Sequence, residues 1–327
     1  MKKPVFNKIA KALIIIIFCC NNVYAQKVSF EDPNLELAIR QLINLPNKSI
    51  KKSHLIDVTK LDIRHKNISS LKGVENLENL IAISADYNPI SDLSPLSNLK
   101  KLRAINIGNA NLTDISPVSQ IKSLVGIWLP NNKISDITPI KDLVNLKHLI
   151  IANNPVSNIT PINNLTNLQQ VNIDNIQIND SDLASFSNLK KIELLTLNGN
   201  QISNLQPISN LVLLEYLDLR NNRIEDISPL VGNYKLKRLF LWKNNIQDIT
   251  TLSKLHNLEW LELGANNISD INSLSTLKNL KRLSVNDNYI DLDTGSKDLE
   301  IINSLQANGV MIYSLPQQNF NYFKKMD

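Results

Sequence analysis

An asparagine returns at one place along the chain: Asn88, Asn132, Asn154, Asn200, Asn222, Asn244, Asn266 and Asn288, with Lys66, Ala110 and Ile176 filling that place in three further segments. The interval is 22 residues throughout, except for 24 between Ile176 and Asn200. Stacked on this position, "LIIANNPV", "LTLNGNQI", "LDLRNNRI", "LFLWKNNI" and "LELGANNI" share one template: apolar, any, apolar, any two, Asn, any, then Ile or Val. Eleven segments in one register exclude coincidence. A unit this short cannot bury its own apolar side, so neighbouring units must stack into one continuous core.

The pattern resembles leucine-rich repeats. Alternating apolar residues predict a short strand with one side inward, and the asparagine turns in where the chain leaves that strand. Its amide is expected to satisfy backbone groups of its own and the next unit, because a buried polar group needs such partners. The eight asparagines are therefore read as a structural ladder. In the second half of the units, "SDLSPL", "TDISPV", "SDITPI", "SNITPI", "SNLQPI" and "EDISPL" place Pro95, Pro117, Pro139, Pro161, Pro207 and Pro229 at one position. Proline there suits a turn or 3-10 segment and forbids a long helix, while Asp or Asn three residues earlier can accept local backbone donors. The fold class predicted is an α/β repeat solenoid, a right-handed horseshoe with a parallel concave β-sheet and a thin convex side. The 24-residue unit, in which two residues are added between Ile178 and Asp182, predicts a bulge with a local change of curvature.

Both ends of the array need caps to shield the core. In "FEDPNLELAIRQLI", Asp32 is placed as N-cap and Pro33 at the first helical position, with Leu35, Ala38, Ile39, Leu42 and Ile43 on one face. In "KDLEIINSLQANGVMIYSL", a helix ends at Gly309 and a closing strand follows over Val310 to Tyr313. The expected organisation is a signal peptide over 1–25, a helical N-terminal cap over 26–57, the repeat array over 58–292, a C-terminal cap over 293–315 and a loose tail over 316–327.

The first 25 residues carry Lys2, Lys3, Lys8 and Lys11, then the apolar run "ALIIIIFCC", then "NNVYA" ending in small Ala25. Charged start, apolar middle and small-residue exit predict export through a cleaved signal. A lipid anchor on Cys19 or Cys20 is the alternative, disfavoured because bulky Phe18 stands just before them. The formal net charge is +5; removal of four lysines and no acid leaves +1, which takes away the main support for a nucleic-acid partner. Both cysteines lie in this segment, so the mature chain is expected to have no disulfide, thiolate nucleophile or thiolate metal site.

The cap "FEDPNLELAI", the passage "ISSLKGVENLENL" and the recurring N-x-I-S-D-I-x-P-L units resemble the internalin family of bacterial secreted leucine-rich repeat proteins, over roughly residues 28 to 290. The resemblance implies an exported virulence candidate whose concave face binds a protein receptor on another cell, often a host cell. No immunoglobulin-like module follows the repeats and no "LPxTG" sorting motif is present, "SLPQQ" being different. The expectation is a monomer, secreted or held in the periplasm or at the cell surface, with no transmembrane segment in the mature chain.

A recognition role on such a scaffold must come from the variable outward positions of the strands. Early units carry mostly small or polar residues there, such as Ser84, Asn106 and Gly108, with Trp128 as the exception. Later come Tyr216, Asp218 and Arg220; Arg238, Phe240, Trp242 and Lys243; Trp260 and Glu262; and Arg282. Strand parity places these outward, because Leu239 and Leu241 already take the inward positions around Phe240. Adjacent strands are expected to put Arg238 between Tyr216 and Trp260, and Arg220 beside Trp242 within cation–π reach, with Gly264 leaving room over the Trp242 ring. A contiguous patch of Trp, Tyr and Arg has the composition of a binding hot spot. A protein ligand is the reading; stacking on the sugar rings of a glycan or cell-envelope polysaccharide is the alternative.

Other chemistry finds little support. His54, His65, His148 and His256 fall in different units without triad or zinc spacing and are read as surface residues. Asp287, Asp291, Asp293 and Asp298 lack the glycine placement and final Glu of a calcium loop and are read as a solvated turn. No cofactor, metal or enzymatic activity is predicted.

Overall fold

The structure, a computed structural model, describes residues 26–318; the signal-peptide segment and residues 319–327 lie outside the described residues. The chain divides into two compact units, Met1–Leu124 and Val125–Asp327.

In the first unit the alternating pattern produces three short parallel strands, β1 (Lys60–Asp62), β2 (Ala82–Ser84) and β3 (Ala104–Asn106), paired in sequence order. Their central residues Leu61, Ile83 and Ile105 are buried. Ahead of them α1 runs from Pro33 to Leu42, with Pro33 at its first position. One Asp32 oxygen accepts the amides of Asn34 and Leu35 at 2.8 and 3.2 Å, and the other accepts the amide and hydroxyl of Ser69 at 2.7 and 3.1 Å. A single carboxylate thus caps the helix and ties it to the first repeats. The buried face of α1 is shorter than the sequence predicts: Leu35, Ala38 and Ile39 are buried, whereas Leu42 is 48% exposed and Ile43 is half-buried. The helix ends at Leu42, so its last apolar residues run past the core it covers.

In the second unit β4 (Gly126–Trp128), β5 (His148–Ile150), β6 (Gln170–Asn172), β7 (Leu194–Thr196), β8 (Tyr216–Asp218), β9 (Arg238–Phe240), β10 (Trp260–Glu262), β11 (Arg282–Ser284) and β12 (Met311–Tyr313) pair in parallel, each with the next. Two inward residues per repeat, such as Leu217 with Leu219 and Leu239 with Leu241, are fully buried. In both units the residue before the ladder position turns the chain with a left-handed backbone, as at Tyr87, Asn109, Asn153, Asn221 and Lys243 with φ of 52–59°. Asparagine suits this turn because its short amide tolerates that region. On the return path, Asp92, Asp114, Asp136, Asn158, Asn204 and Asp226 accept the backbone amide two residues on at 2.7–2.9 Å. Each opens a 3-10 turn that carries the repeated proline.

The ladder amides reach backward, a correction to the expected direction. Asn266 donates to Leu263 O in its own unit and to Leu241 O in the preceding one, both at 2.9 Å, while its Oδ1 accepts the Ile246 amide at 3.1 Å. Asn88, Asn154, Asn200, Asn222, Asn244 and Asn288 repeat this geometry. Asn132 donates to Leu129 O at 3.2 Å.

The 24-residue unit takes up its surplus on the return path. Its two extra residues are absorbed by a helical turn, α2 (Asp180–Leu183), capped by Asn179, while the pairing of β6 with β7 keeps its register, Gln170 opposite Leu194. The insertion falls on the return path, where chain length is not fixed by strand pairing.

At the C-terminal end α3 (Lys297–Ala307) is capped by Ser296 and leads into β12 on the edge of the sheet. Asp298 is buried rather than solvated, accepting the amides of Ile271 and Asp291 at 3.4 Å, and burial raises its pKa. Residues 316–318, expected as the start of a loose tail, make defined contacts. Gln317 accepts the Asn288 amide at 3.1 Å and donates to Val285 O at 2.9 Å and to Ser314 O. Those partners stand to Gln317 as Ile63 O, Ala85 O and the Lys66 amide stand to Asn88. Gln317 is therefore one more rung of the ladder, made with a longer side chain.

Candidate recognition surface

The register of β8 to β11 fixes the surface. One row across the outward face reads Tyr216, Arg238, Trp260, Arg282, and the next reads Asp218, Phe240, Glu262, Ser284. Arg220, Trp242 and Gly264 follow just beyond the strand ends at the same interval.

Phe240 is the centre. Its ring lies 5.2 Å from that of Tyr216 and 5.1 Å from that of Trp260, the latter edge-on, and the Arg220 guanidinium sits 5.4 Å from its centroid. Three covering groups leave Phe240 only 4% exposed. The exposed phenylalanine expected from the sequence is corrected accordingly: it points outward, yet neighbouring strands roof it, and it acts as a small hydrophobic floor that holds Tyr216 and Trp260 in place.

Arg220 is positioned by Asp218, whose carboxylate accepts from Nε at 3.0 and 3.1 Å and from Nη2 at 2.6 Å. Asp218 is buried and Arg220 half-exposed, so the fork-to-fork pair orders the guanidinium and turns it onto Phe240 rather than onto Trp242 as the sequence suggests. Nη1 also lies 3.8 Å from Glu262. Burial raises the pKa of Glu262, with Arg220 opposing and Asp218 reinforcing the rise. Burial likewise raises that of the Tyr216 phenol.

Trp260 lies between two guanidiniums, Arg238 at 6.0 Å and Arg282 at 4.9 Å from its ring centroid. Trp242 has the Lys243 ammonium at 5.8 Å. The space over Gly264 is filled: a Cβ there would stand 2.8 Å from Trp242 Cδ1 and 2.8 Å from Asn286 Oδ1. Trp242 leans into the gap that glycine provides. Trp128 does the same over Gly126, where a Cβ would meet its ring at 2.1 Å, and stacks on His148 at 5.6 Å. Trp128 and His148 stand apart from the main patch, at β4 and β5. His148 is half-buried, with Nδ1 enclosed and unpartnered, so it is not the surface histidine expected; the other three are exposed.

Sequence reasoning missed Asp174. It occupies the column of Arg220 and Trp242, two units before Arg220, and its carboxylate accepts the Asn198 amide at 2.8 Å. Burial pushes its pKa up to about 6; the Asn198 hydrogen bond opposes this, the Asp218 charge adds to it and Arg220 draws it back. Extending the variable columns back past Tyr216 would have found it. Among the described residues no His, Cys, Asp and Glu cluster is built to hold a metal ion, and no helix is long and apolar enough to cross a membrane.

Short parallel strands, a buried asparagine ladder and 3-10 returns define a leucine-rich repeat protein. A family model for leucine-rich repeats in two copies matches residues 188–232. An internalin (inlF) from Listeria monocytogenes is similar at 29% identity, over 89% of this chain and 92% of that one, with a TM-score of 0.77. A leucine-rich repeat protein of Leptospira interrogans matches at 24% identity over 79% of this chain and 73% of that one, TM-score 0.68. The functional domain of InlJ from L. monocytogenes, which includes a cysteine ladder, matches at 19% identity over 86% and 80%, TM-score 0.50. No curated protein sequence matches the chain. The chain is thus a leucine-rich repeat protein similar to an internalin, with a fold suited to protein binding.

Proposed function

We propose that the chain is an exported, non-enzymatic recognition protein that binds a protein ligand through the outward face of β8 to β11, the ligand being a receptor on a host cell. The observation that carries this reading is the joined aromatic and guanidinium surface of Tyr216, Arg220, Arg238, Trp242, Trp260 and Arg282, fixed from below by Phe240 and Asp218. Rigid aromatics bury much area at little entropic cost, and truncating such anchors typically costs about 2 kcal/mol or more of binding. The internalin-like fold and the export signal read from the sequence agree with it. A glycan is the second reading, favoured by Trp242 and Trp128 lying over glycines, a seat that can offer a flat indole face to a sugar ring.

The test is capture from a panel of purified host surface proteins by the wild type and by Trp242→Ala/Trp260→Ala, with a glycan array in parallel. Loss of the captured protein in a variant that folds normally is the expected result. A well-folded variant that retains every partner refutes the site, and binding confined to glycans transfers the function to the second reading.

A further inference from the structure

The cations of this face differ in how they are held, Lys243 lying 5.8 Å from the Trp242 ring. Lys237, Lys281 and Arg220 are neutralised by Glu215, Glu259 and Asp218 at 2.7, 2.6 and 2.6 Å. Arg238 and Arg282 are exposed and form no ion pair among the described residues, yet both are held against Trp260. They stand on strands either side of β10, so about 4.8 Å per strand sets their backbones about 10 Å apart. Their guanidinium carbons can be no farther than about 11 Å from each other, each being tied to the same ring. Two forks without a direct ion pair, Arg238 feeling only the more distant charge of Glu259, flank a half-buried indole and are complementary to carboxylates, which guanidinium binds in bidentate geometry.

We propose that Arg238, Trp260 and Arg282 form a clamp for an acidic segment of the protein partner, in which two carboxylates about 10 Å apart bracket a stretch of backbone crossing the indole. This deepens the protein-binding reading and rests on it. The spacing selects a backbone. In a polyproline II helix, at about 3.1 Å per residue and three residues per turn, side chains three apart project from one side about 9 Å from each other. A β-strand instead turns residues three apart to opposite sides. The favoured motif is Glu-x-x-Glu in a proline-containing extended segment, whose backbone between the two carboxylates crosses the Trp260 indole.

The experiment titrates the full chain with the peptide acetyl-Glu-Pro-Pro-Glu-amide at low salt and follows the indole N–H resonance of Trp260, assigned by its absence in Trp260→Phe. The resonance should shift with saturable dependence on peptide. Affinity should fall about tenfold in Arg238→Gln/Arg282→Gln, in keeping with two exposed charge contacts, and weaken steeply with added salt. The Glu215→Gln/Lys237→Gln/Glu259→Gln/Lys281→Gln control, which removes two whole ion pairs and leaves the net charge of the face unchanged, should bind as the wild type does. Acetyl-Gln-Pro-Pro-Gln-amide should leave the resonance in place. No shift with the acidic peptide, or an equal shift in the arginine variant, overturns the clamp. If the tryptophan double variant loses its protein partner while the peptide leaves Trp260 untouched, the recognition site stands and the acidic-segment inference falls. If that variant retains every partner, the protein-binding reading itself has failed.

Discussion

Replacing Asp174 by Asn should stabilise the protein, and only above about pH 4. The half-buried carboxylate accepts the Asn198 amide at 2.8 Å, and burial lifts its pKa from 3.8 to about 6. A raised carboxylate pKa means the folded protein holds the proton more tightly than the unfolded chain does. The folded state is therefore unpenalised below about pH 4, loses stability as pH climbs through about 6, and carries the full loss above that. At about 1.4 kcal/mol per tenfold change in proton affinity, the rise from 3.8 to about 6 amounts to about 3 kcal/mol; partial solvent access reduces this to about 2 kcal/mol. Asparagine removes the charge and keeps Oδ1 for the Asn198 amide. Urea unfolding at a series of pH values should show Asp174→Asn about 2 kcal/mol more stable than wild type at pH 7.5, with the two curves converging by pH 4. The matching rise in Tm is about 3 °C at neutral pH. A gap that does not change with pH, or a variant less stable than wild type at pH 7.5, would refute the account of Asp174.

Two further substitutions test the scaffold and the seat of the surface tryptophan. Asn266→Ala strips partners from Leu241 O, Leu263 O and the Ile246 amide, and should cost about 3 kcal/mol in urea unfolding; a loss under about 0.5 kcal/mol would show that the rung is dispensable. Gly264→Ala would place a methyl 2.8 Å from Trp242 Cδ1, so the indole must move; tryptophan fluorescence should change and stability fall by about 1–2 kcal/mol, whereas an unaltered spectrum would argue that Trp242 does not rest there.

What the sequence reveals about this molecule is periodic, and what it conceals is lateral. The 22-residue interval yields strand positions, inward leucines and 3-10 returns, because each depends on residues within one unit or at the same place in the next. The roofing of Phe240 depends instead on how Tyr216, Trp260 and Arg220 lean from neighbouring repeats. Parity tells which side a residue faces, and says nothing of what its neighbours cover. Arg220 similarly has two aromatics in reach, and the choice of Phe240 follows from the fork imposed by Asp218. In the 24-residue unit the surplus length was legible and its form was not, since the return path can take up extra residues as α2 without disturbing β6 and β7. Gln317 escaped notice because it follows Asn288 by 29 residues and carries a different amide.

The backward reach of the ladder makes the second unit a one-way zipper. Every repeat hands its unfinished hydrogen bonds to the asparagine of its successor, so loss of a segment leaves the repeat before it with unanswered backbone groups. Gln317 is the clasp: by answering Val285 O and the Asn288 amide it closes a series that would otherwise ask for another tooth. Trimming the chain back to Tyr313 should therefore unravel from the end inward, loosening first β11, where Arg282 stands, and reaching the aromatic surface before it touches the repeats around β4.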